Sequence, residues 1–325
     1  MIRTVYLNEE GELRKHLDER EIAGVLETGE GLLWVDISEW DPQSVVLLRD
    51  VFRFHPLAIE DCFDDRVDTA KVDDYGDYVF VVAPYAVYDL KPQQVNIREL
   101  CVFLGGSYVV SVHQRPIAPV HEIFHRSGSE PRILSRGPDF LVHSLLDAIV
   151  DELVPAIESM NEQLDDLERA VLDDPHRRHL TSILLLKRNS LRLRRSLESH
   201  RDMVNRLSRG EYPRFIRPET AIFFRDVYDH IVRGETLIEG VRDLADDALS
   251  YYLTANNNRM TEIMKVLSVV AVIFLPLTLI ASIFGTNLDY SALGLTFGGG
   301  FYLMLAVMIA LAGGMIAYFR TRGWF

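Results

Sequence analysis

The sequence is poor in cysteine and in positive charge, and each shortage excludes a class of protein. Its 325 residues include only two cysteines, Cys62 and Cys101, which are too few for a disulfide framework or a thiolate metal site. The 34 Lys and Arg residues are outnumbered by 48 Asp and Glu residues. This acidic balance argues against nucleic-acid binding and instead fits a protein that attracts cations.

Two further absences bear on location and activity. The first ten residues contain no apolar run, so no signal peptide is predicted, and the low cysteine content places the soluble part in the cytoplasm. The sequence shows no nucleophile–base set and no phosphate-binding loop, so we expect a protein that is not an enzyme.

Charge is also missing from two long segments near the C-terminus. Val266–Leu288 contains 23 residues and Tyr290–Phe319 contains 30 residues without a charged side chain. The shorter run is roughly 34 Å long as a helix, which is enough to cross a bilayer core of about 30 Å. All but four of the Lys and Arg residues and all but two of the acidic residues precede Arg259. The sequence therefore predicts a large acidic soluble part followed by two membrane spans.

The few basic residues near these spans predict their orientation. Arg259 and Lys265 precede the first span, Arg320 and Arg322 follow the second, and the connecting loop contains no Lys or Arg. By the positive-inside rule, the loop faces outward and both termini are cytoplasmic. We therefore expect a multi-pass protein of the cell (inner) membrane.

Residues 1–130 mix strand and helix patterns and are predicted to form a cytoplasmic α/β domain. Predicted strands, rich in Val, Phe and Tyr, are Leu32–Ile37, Tyr78–Tyr85, Leu100–Leu104 and Tyr108–His113. Two short amphipathic helices are predicted at Asp41–Arg53 and Ile117–His125.

The remainder is predicted to be helical. Residues 131–215 form a hairpin of two helices, Phe140–Leu172 with a kink at Pro155 and His179–Leu207, whose charged residues suggest solvated outer faces. A third helix begins near Thr220 and has no strong breaker before the membrane. The predicted segments that follow are a stalk helix (216–265), a first span (266–286), an outer loop (287–298), a second span (299–319) and a basic tail (320–325).

The third helix carries a seam of small or polar residues in alternating steps of four and three. The seam consists of Ser250, Thr254, Asn257, Thr261, Met264, Ser268, Ala271, Leu275, Thr278 and Ser282. Such heptad spacing places these residues on one face, toward a partner helix or the axis of a bundle. One interpretation is a tight helix–helix contact. The other is a pore lined by identical helices, which requires an oligomer because two spans per chain cannot enclose a channel.

The seam has no charged residue, so a cation passing along it would keep its water shell. Mg²⁺ suits this role because it dehydrates reluctantly. The membrane potential would supply about 4.6 kcal/mol per 100 mV for a divalent ion.

Several motifs resemble the CorA family of divalent-cation channels, in the family's order along most of the chain. They are His55-Pro56-Leu57 with Glu60-Asp61, Phe224-Arg225-Asp226-Val227-Tyr228-Asp229-His230, Met264-Lys265-Val266-Leu267, Phe274-Leu275-Pro276-Leu277-Thr278, Ile283-Phe284-Gly285-Thr286-Asn287, and a basic C-terminus ending in Trp324-Phe325.

The resemblance implies a funnel-shaped homopentamer in the lipid bilayer that admits Mg²⁺, with Co²⁺ or Ni²⁺ as further cargo. It also implies a selectivity filter formed by Gly285, Thr286 and Asn287. The side-chain carbonyls of Asn287 would form a ring at the outer mouth, and Gly285 would permit the tight turn. The positions that match the family's pore lining are Thr261, Met264, Leu267, Leu275 and Thr278. Met264 and Leu275 would be hydrophobic constrictions that gate by dewetting.

The resemblance also implies a regulatory metal site in the cytoplasm. Asp226 matches one position of that site, and Asp89 is the best match for its partner on a neighbouring subunit. Two carboxylates repel each other unless a cation lies between them, so Mg²⁺ would hold the closed state. No other cofactor is implied.

Three departures from the family pattern leave the identity of the ion open. Thr286 replaces the methionine of the commonest signature, the outer loop has the single acid Asp289, and Ser250 stands where some members have an acidic residue. A branch of ZntB-like zinc transporters also departs from methionine, so a ZntB-like zinc transporter coupled to protons is the first alternative. A membrane-anchored scaffold or sensor without transport is the second.

Two other motifs point elsewhere. His121-Glu122-Ile123-Phe124-His125 has the letters of the HExxH zinc-peptidase motif, but no compelling third ligand follows it. The acidic stretch Asp61–Asp77 resembles a calcium loop in composition but lacks a glycine and a terminal glutamate at the spacing of an EF-hand, so we interpret it as solvated.

Overall fold

The computed structural model describes residues 1–39, 41–64, 69–89, 94–286 and 297–324. The chain divides into two compact units, Met1–Ser250 and Tyr251–Phe325. The first unit contains the sheet and most of the helices, and the second contains the two apolar segments.

A seven-stranded sheet lies at the centre of the first unit. Its strands are β1 (Ile2–Leu7), β2 (Leu13–Lys15), β3 (Leu32–Ser38), β4 (Lys71–Asp74), β5 (Val79–Asp89), β6 (Gln94–Leu104) and β7 (Tyr108–His113). The strand order is β2-β1-β3-β7-β6-β5-β4. β3 and β7 pair in parallel, with Val35 opposite Val110, whereas the other described pairs are antiparallel.

Nine α-helices are found in the described part of the chain. They are α1 (Glu19–Thr28), α2 (Pro42–Val46), α3 (Pro56–Phe63), α4 (Ala118–Ser127), α5 (Pro138–Asp151), α6 (Leu153–Asp173), α7 (Arg177–Ser208), α8 (Pro218–Phe284) and α9 (Phe297–Thr321). A π-helical turn, Leu47–Val51, extends α2, and a 3₁₀ turn, Pro131–Ile133, precedes α5.

The two faces of the sheet bury separate apolar clusters. On one face, Trp34 and Val81 pack with residues of α4 to α8, such as Leu145 and Phe224. On the other face, Phe80 and Phe103 pack with residues of the short helices α1 to α3. The long central strands are buried on both faces, which explains why they are nearly continuous runs of apolar residues.

The four predicted strands are confirmed, but the sheet is larger than predicted. β6 begins at Gln94, six residues before the predicted strand, and β5 continues to Asp89. The short strands β1, β2 and β4 and the helices α1 and α3 were not predicted. α1 has a clear sequence signal, because Asp18 and Glu21 form a capping box at its start.

Two predicted helices are confirmed in their extent, but neither is a single regular helix. Asp41–Arg53 is divided between α2 and the π-helical turn. Phe140–Leu172 is two helices, α5 and α6, separated at Glu152. Pro155 explains this break, since its ring lacks an N–H and would clash with the carbonyl of Asp151 in a continuous helix. Residues 131–215 therefore contain three α-helices, and the last, α7, confirms the predicted His179–Leu207.

An ion pair fixes the start of α8. The buried Asp139 accepts hydrogen bonds from the backbone N of Arg217 at 3.1 Å and from its Nη2 at 2.5 Å. Burial alone would raise the pKa of Asp139, but these hydrogen bonds outweigh burial and hold the pKa below its usual value. The pair joins the start of α5 to the residue that precedes Pro218.

α8 is a single helix of 67 residues, so the predicted boundary at residue 265 does not coincide with a break in the helix. It is about 100 Å long. α8 and α9 are the two described helices that are long and apolar enough to cross a bilayer.

Candidate cation pathway and metal centre

The whole polar seam of α8 is exposed in the single chain. The seam residues from Ser250 to Ser282 are all exposed, and so is Leu267, which is also predicted to line the pore. Its large apolar residues are strongly exposed: 55% for Met264, 61% for Leu267 and 71% for Leu275. The seam is therefore not covered by any described part of its own chain.

A different stripe of α8 packs inside the second unit. The less exposed residues of this stripe are Lys265, Val269, Ile273, Pro276, Ile280 and Phe284. α9 carries a stripe with the same spacing, formed by Gly300, Met304, Met308, Leu311, Met315 and Phe319. The Lys265 ammonium also donates a hydrogen bond to the carbonyl of Gly323 at 3.1 Å. Because consecutive residues are rotated by 100° on a helix, packing against α9 leaves the seam open.

The hydroxyl groups of the seam bond back to their own helix. Thr261 donates to the carbonyl of Asn257 at 2.9 Å, and Thr278 and Ser282 donate to the carbonyls four residues earlier at 2.8 Å. Each hydroxyl proton is thus used within the helix, while the lone pairs of the oxygen remain free to accept. Such a surface accepts hydrogen bonds from the water shell of a cation.

The predicted selectivity filter is described only in part. Gly285 donates to the carbonyl of Ala281 at 2.9 Å, and an added Cβ at Gly285 would lie 3.1 Å from that oxygen. The hydroxyl of Thr286 donates to the carbonyl of Ile283 at 2.7 Å. Asn287 and Asp289 lie outside the described residues, as does most of the predicted outer loop.

The two predicted regulatory carboxylates have different partners within one chain. Asp89 ends β5 and accepts a hydrogen bond from the Asn96 amide at 2.5 Å. Asp226 lies on α8, is 70% exposed, and has its Oδ2 atom 4.0 Å from Nε2 of His230. A pair formed between Asp89 and Asp226 of neighbouring subunits stays a prediction.

The structure brings three potential metal ligands together beside Asp226. Ligand atoms of Asp147, Asp151 and His230 all lie within 4.8 Å of one another. Asp147 and Asp151 are one turn apart on α5, and His230 is on α8, with its Nδ1 atom 3.2 Å from Oδ1 of Asp151. Among the described residues, this is the one group of three or more such side chains that could hold a metal ion.

The electrostatics of this cluster favour a cation. Burial raises the pKa of Asp147, and the charges of Asp151 and Asp226 raise it further. A bound divalent ion would relieve this repulsion and favour the ionised carboxylates. This cluster was not predicted from the sequence. The available signal was the one-turn spacing of Asp147 from Asp151 and of Asp226 from His230.

The HExxH motif has a structural environment unlike that of a zinc peptidase. The Nδ1 atom of His121 lies 2.7 Å from Nη1 of Arg3, and the ring of Phe124 packs against the same guanidinium at 4.5 Å. Within the described part of the chain, the possible metal-ligand group contains neither His121 nor His125.

Comparisons with known proteins cover nearly the whole chain. The profile of the family described as "CorA-like Mg2+ transporter protein" matches residues 29–321. The cobalt/magnesium transport protein CorA of Thermotoga maritima is 32% identical over 296 residues, which are 90% of this chain and 83% of that protein.

The chain is also similar to a solved structure and to a relative of lower sequence identity. The complete structure of the CorA magnesium transporter from Methanocaldococcus jannaschii matches with a TM-score of 0.82 at 19% identity, covering 100% of this chain and 99% of that chain. The zinc transport protein ZntB of Pectobacterium atrosepticum is 27% identical over 242 residues, which are 71% of this chain and 68% of that protein.

Proposed function

This chain belongs to the CorA family of metal ion transporters, and on that premise we propose that it assembles into a homopentameric channel for the influx of Mg²⁺. Co²⁺ and Ni²⁺ are its further cargo, and cytoplasmic Mg²⁺ closes it. The funnel-shaped soluble part and both termini lie in the cytoplasm, and the Gly285–Thr286–Asn287 corner faces outward.

The observation that carries this proposal is the uncovered seam of α8. α9 packs against a different stripe of α8, which leaves the seam free to meet the same seam of neighbouring copies. Five such helices around an axis would enclose a path lined by hydroxyls and by the apolar side chains of Met264 and Leu275. A narrow apolar constriction closes to ions when it loses its water.

The chemistry of the path favours a hydrated ion. The described seam residues of α8 are uncharged, so the path offers no carboxylate to replace the water shell of a divalent cation. Mg²⁺ dehydrates reluctantly and would pass along such a path with its water shell in place. The Asn287 side-chain carbonyls would then accept hydrogen bonds from the first water shell at the outer mouth.

We propose that cytoplasmic Mg²⁺ regulates the channel at the cluster that joins α5 to α8. A cation held by Asp147, Asp151 and His230, together with Asp226, would join α5 to α8 in one chain. A cation between Asp226 and Asp89 of a neighbouring copy would join two subunits. Depletion of Mg²⁺ would leave these carboxylates to repel each other and release the closed arrangement.

A zinc transporter coupled to protons is the second candidate, and Thr286 is the residue that favours it. The zinc transport relative is less similar than the cobalt/magnesium relative, with 27% against 32% identity and 71% against 90% coverage of this chain. This difference supports the magnesium proposal.

Competitive uptake into proteoliposomes tests the proposal. The purified full chain is reconstituted, and influx of Mg²⁺, Co²⁺, Ni²⁺ and Zn²⁺ is measured with and without an inward proton gradient. We expect Mg²⁺ influx that is independent of the proton gradient and abolished by Asn287→Ala. Zn²⁺ influx that rises with the proton gradient would favour the second candidate. The absence of flux for all four ions would leave a scaffold or sensor and refute both.

A further inference from the structure

α7 exposes an apolar and basic ridge that no described part of its own chain covers. The ridge consists of Leu184, Arg188, Leu191 and Arg195, spaced by four, three and four residues, so all four lie on one face. Leu184 is 48% exposed and Leu191 is 41% exposed. Among the described residues, neither Arg188 nor Arg195 forms an ion pair.

The ridge is held away from α8 by the ion pairs of the adjacent face of α7. Lys187 pairs with Asp246, Arg194 approaches Glu239 at 3.6 Å, and Arg201 pairs with Glu235 at 2.9 Å. These contacts fix the rotation of α7 about its axis. The ridge therefore cannot turn inward to cover its own leucines.

A groove of complementary character lies between α6 and α8. It has a volume of 380 Å³, an apolar lining from Ile157, Leu237, Val241 and Leu244, and an acidic rim from Glu158 and Glu162. Leu237 is 39% exposed. Gly240 also lines the groove, and a Cβ added at Gly240 would meet nothing within 4 Å. The groove is thus open and has room for side chains from outside.

The charges of the ridge also match in sign and spacing those of α6, the helix that supplies the acidic rim of the groove. On α6, the exposed Glu158 and Asp165 are seven residues apart, as are Arg188 and Arg195 on α7. Both pairs therefore span about 10.5 Å along a helix. No ion pair to Glu158 or Asp165 occurs within the described residues of the chain.

We propose that the α7 ridge of one copy of this chain docks into the α6–α8 groove of a second copy. The leucines fill the apolar floor, and the two arginines meet the acidic row of α6. Ridge and groove are different surfaces of the same chain, so the contact is head-to-tail and repeats from copy to copy until a ring closes. This inference rests on the proposed ring and identifies a surface of the soluble part that would hold it.

Cysteine cross-linking between two differently tagged chains tests the contact. One full-length chain carries Leu191→Cys and the other carries Leu237→Cys, and they are co-expressed and treated with a bis-maleimide. The native Cys62 and Cys101 are buried, so little background reaction is expected. We expect a cross-linked dimer containing both tags. The matched control replaces Leu191→Cys with Leu57→Cys, an exposed leucine on α3, and should give no dimer.

Charge reversal provides a second measurement that does not depend on cysteine geometry. Arg188→Glu with Arg195→Glu in the ridge chain should abolish the cross-linked dimer. Adding Glu158→Arg with Asp165→Arg in the groove chain should restore it, because the charges again match. These residues are on the surface, so the variants are expected to fold, which the thermal unfolding of each confirms.

The outcomes separate this inference from the proposed function. If native mass spectrometry shows a pentamer but the cysteine pair gives no dimer with both tags, the ridge–groove contact is wrong and the ring stands. If charge reversal leaves cross-linking unchanged, the contact is likewise wrong. A monomeric mass for the wild type would overturn the ring and, with it, this inference.

Discussion

His230 on α8 and Asp151 on α5 are joined across 79 positions of sequence, with Nδ1 of His230 3.2 Å from Oδ1 of Asp151. The cluster therefore consists of Asp147, Asp151 and His230, while Asp226 approaches the other ring nitrogen of His230 at 4.0 Å. It lies within the part of α8 that belongs to the first unit. A cation bound there would act on the same helix that carries the seam.

Removal of carboxylates from this cluster is expected to abolish stabilisation by Mg²⁺. A ligand that binds only the folded protein raises its melting temperature, and the gain grows with ligand concentration. Asp147→Asn combined with Asp226→Asn should therefore lower or remove the Mg²⁺-dependent rise in Tm of the full chain in detergent. Asp166→Asn, an exposed acid on α6, is the control and should leave the rise intact. An equal rise in the double variant would show that Mg²⁺ binds elsewhere.

The same cluster predicts a dependence on pH. The folded-state pKa of Asp147 is raised above its ordinary value by burial and by the charges of Asp151 and Asp226. As pH falls through that raised pKa, Asp147 takes up a proton and a proton competes with the cation. The Mg²⁺-dependent rise in Tm should thus be larger at neutral pH than at mildly acidic pH. In Asp147→Asn this difference should shrink, and an unchanged difference would assign it to another group.

How far the sequence predicts this structure depends on whether the signal is local. β3 and β7 are largely apolar and were predicted nearly to the residue. The first residues of β6, Gln94-Val95-Asn96, are mostly polar and owe their strand conformation to pairing with β5. The break between α5 and α6 leaves the apolar periodicity intact, so only Pro155 signals it. Contacts between segments that are far apart in the sequence have still weaker signals in the sequence.

The candidate site also has one part that local sequence patterns predict and one part that they do not. The seam is a property of one helix and its exposure agrees with its spacing. The metal cluster joins α5 to α8, and sequence spacing gives no distance between Asp151 and His230. Its two halves were visible as one-turn spacings, but such pairs are common on solvated helices. Only the fold showed that these two halves meet.

Replacement of Thr286 by methionine tests what determines the choice of ion. Thr286→Met restores the commonest family signature next to Asn287, and the Thr286 hydroxyl that now donates to Ile283 is lost. We expect the ratio of Mg²⁺ to Zn²⁺ uptake to rise in competitive flux measurements. Thr278→Val, which removes a hydroxyl from the seam, is the control for general effects on conduction. An unchanged ratio would place ion preference outside residue 286.

A polar residue at the Leu275 constriction should open the pathway. Leu275 is 71% exposed on the seam face, so in the proposed ring its side chains would form a dry, closed gate. Leu275→Ser should raise Mg²⁺ influx severalfold and weaken its inhibition by internal Mg²⁺, because a wetted constriction conducts. Leu279→Ser is the matched control, since Leu279 is 59% exposed on the same helix but off the seam. Similar influx in both variants would argue against a gate at Leu275.

The last prediction concerns a buried charge that stabilises the soluble unit. Asp36 on β3 is fully buried and accepts hydrogen bonds from Arg3 at 2.5 Å and from Ser111 at 2.6 Å, while Nε2 of His113 lies 3.3 Å away. Burial alone would raise the pKa of Asp36, but the hydrogen bond and charge of His113, with Ser111 and Arg3, hold it below the ordinary value. The carboxylate is thus the compensating charge for Arg3.

Asp36→Asn should lower the free energy of unfolding by about 3–5 kcal/mol at neutral pH, because it leaves the partner charge uncompensated. A carboxyl with a depressed folded-state pKa contributes stability above its unfolded pKa and loses it as pH falls through the folded pKa. The difference between wild type and Asp36→Asn should therefore narrow in acid. Urea unfolding followed at neutral and acidic pH measures both effects. For the exposed control Asp166→Asn we expect the free energy of unfolding to change by no more than about 0.5 kcal/mol. If the difference between wild type and Asp36→Asn does not depend on pH, the ionised carboxylate does not have a stabilising role.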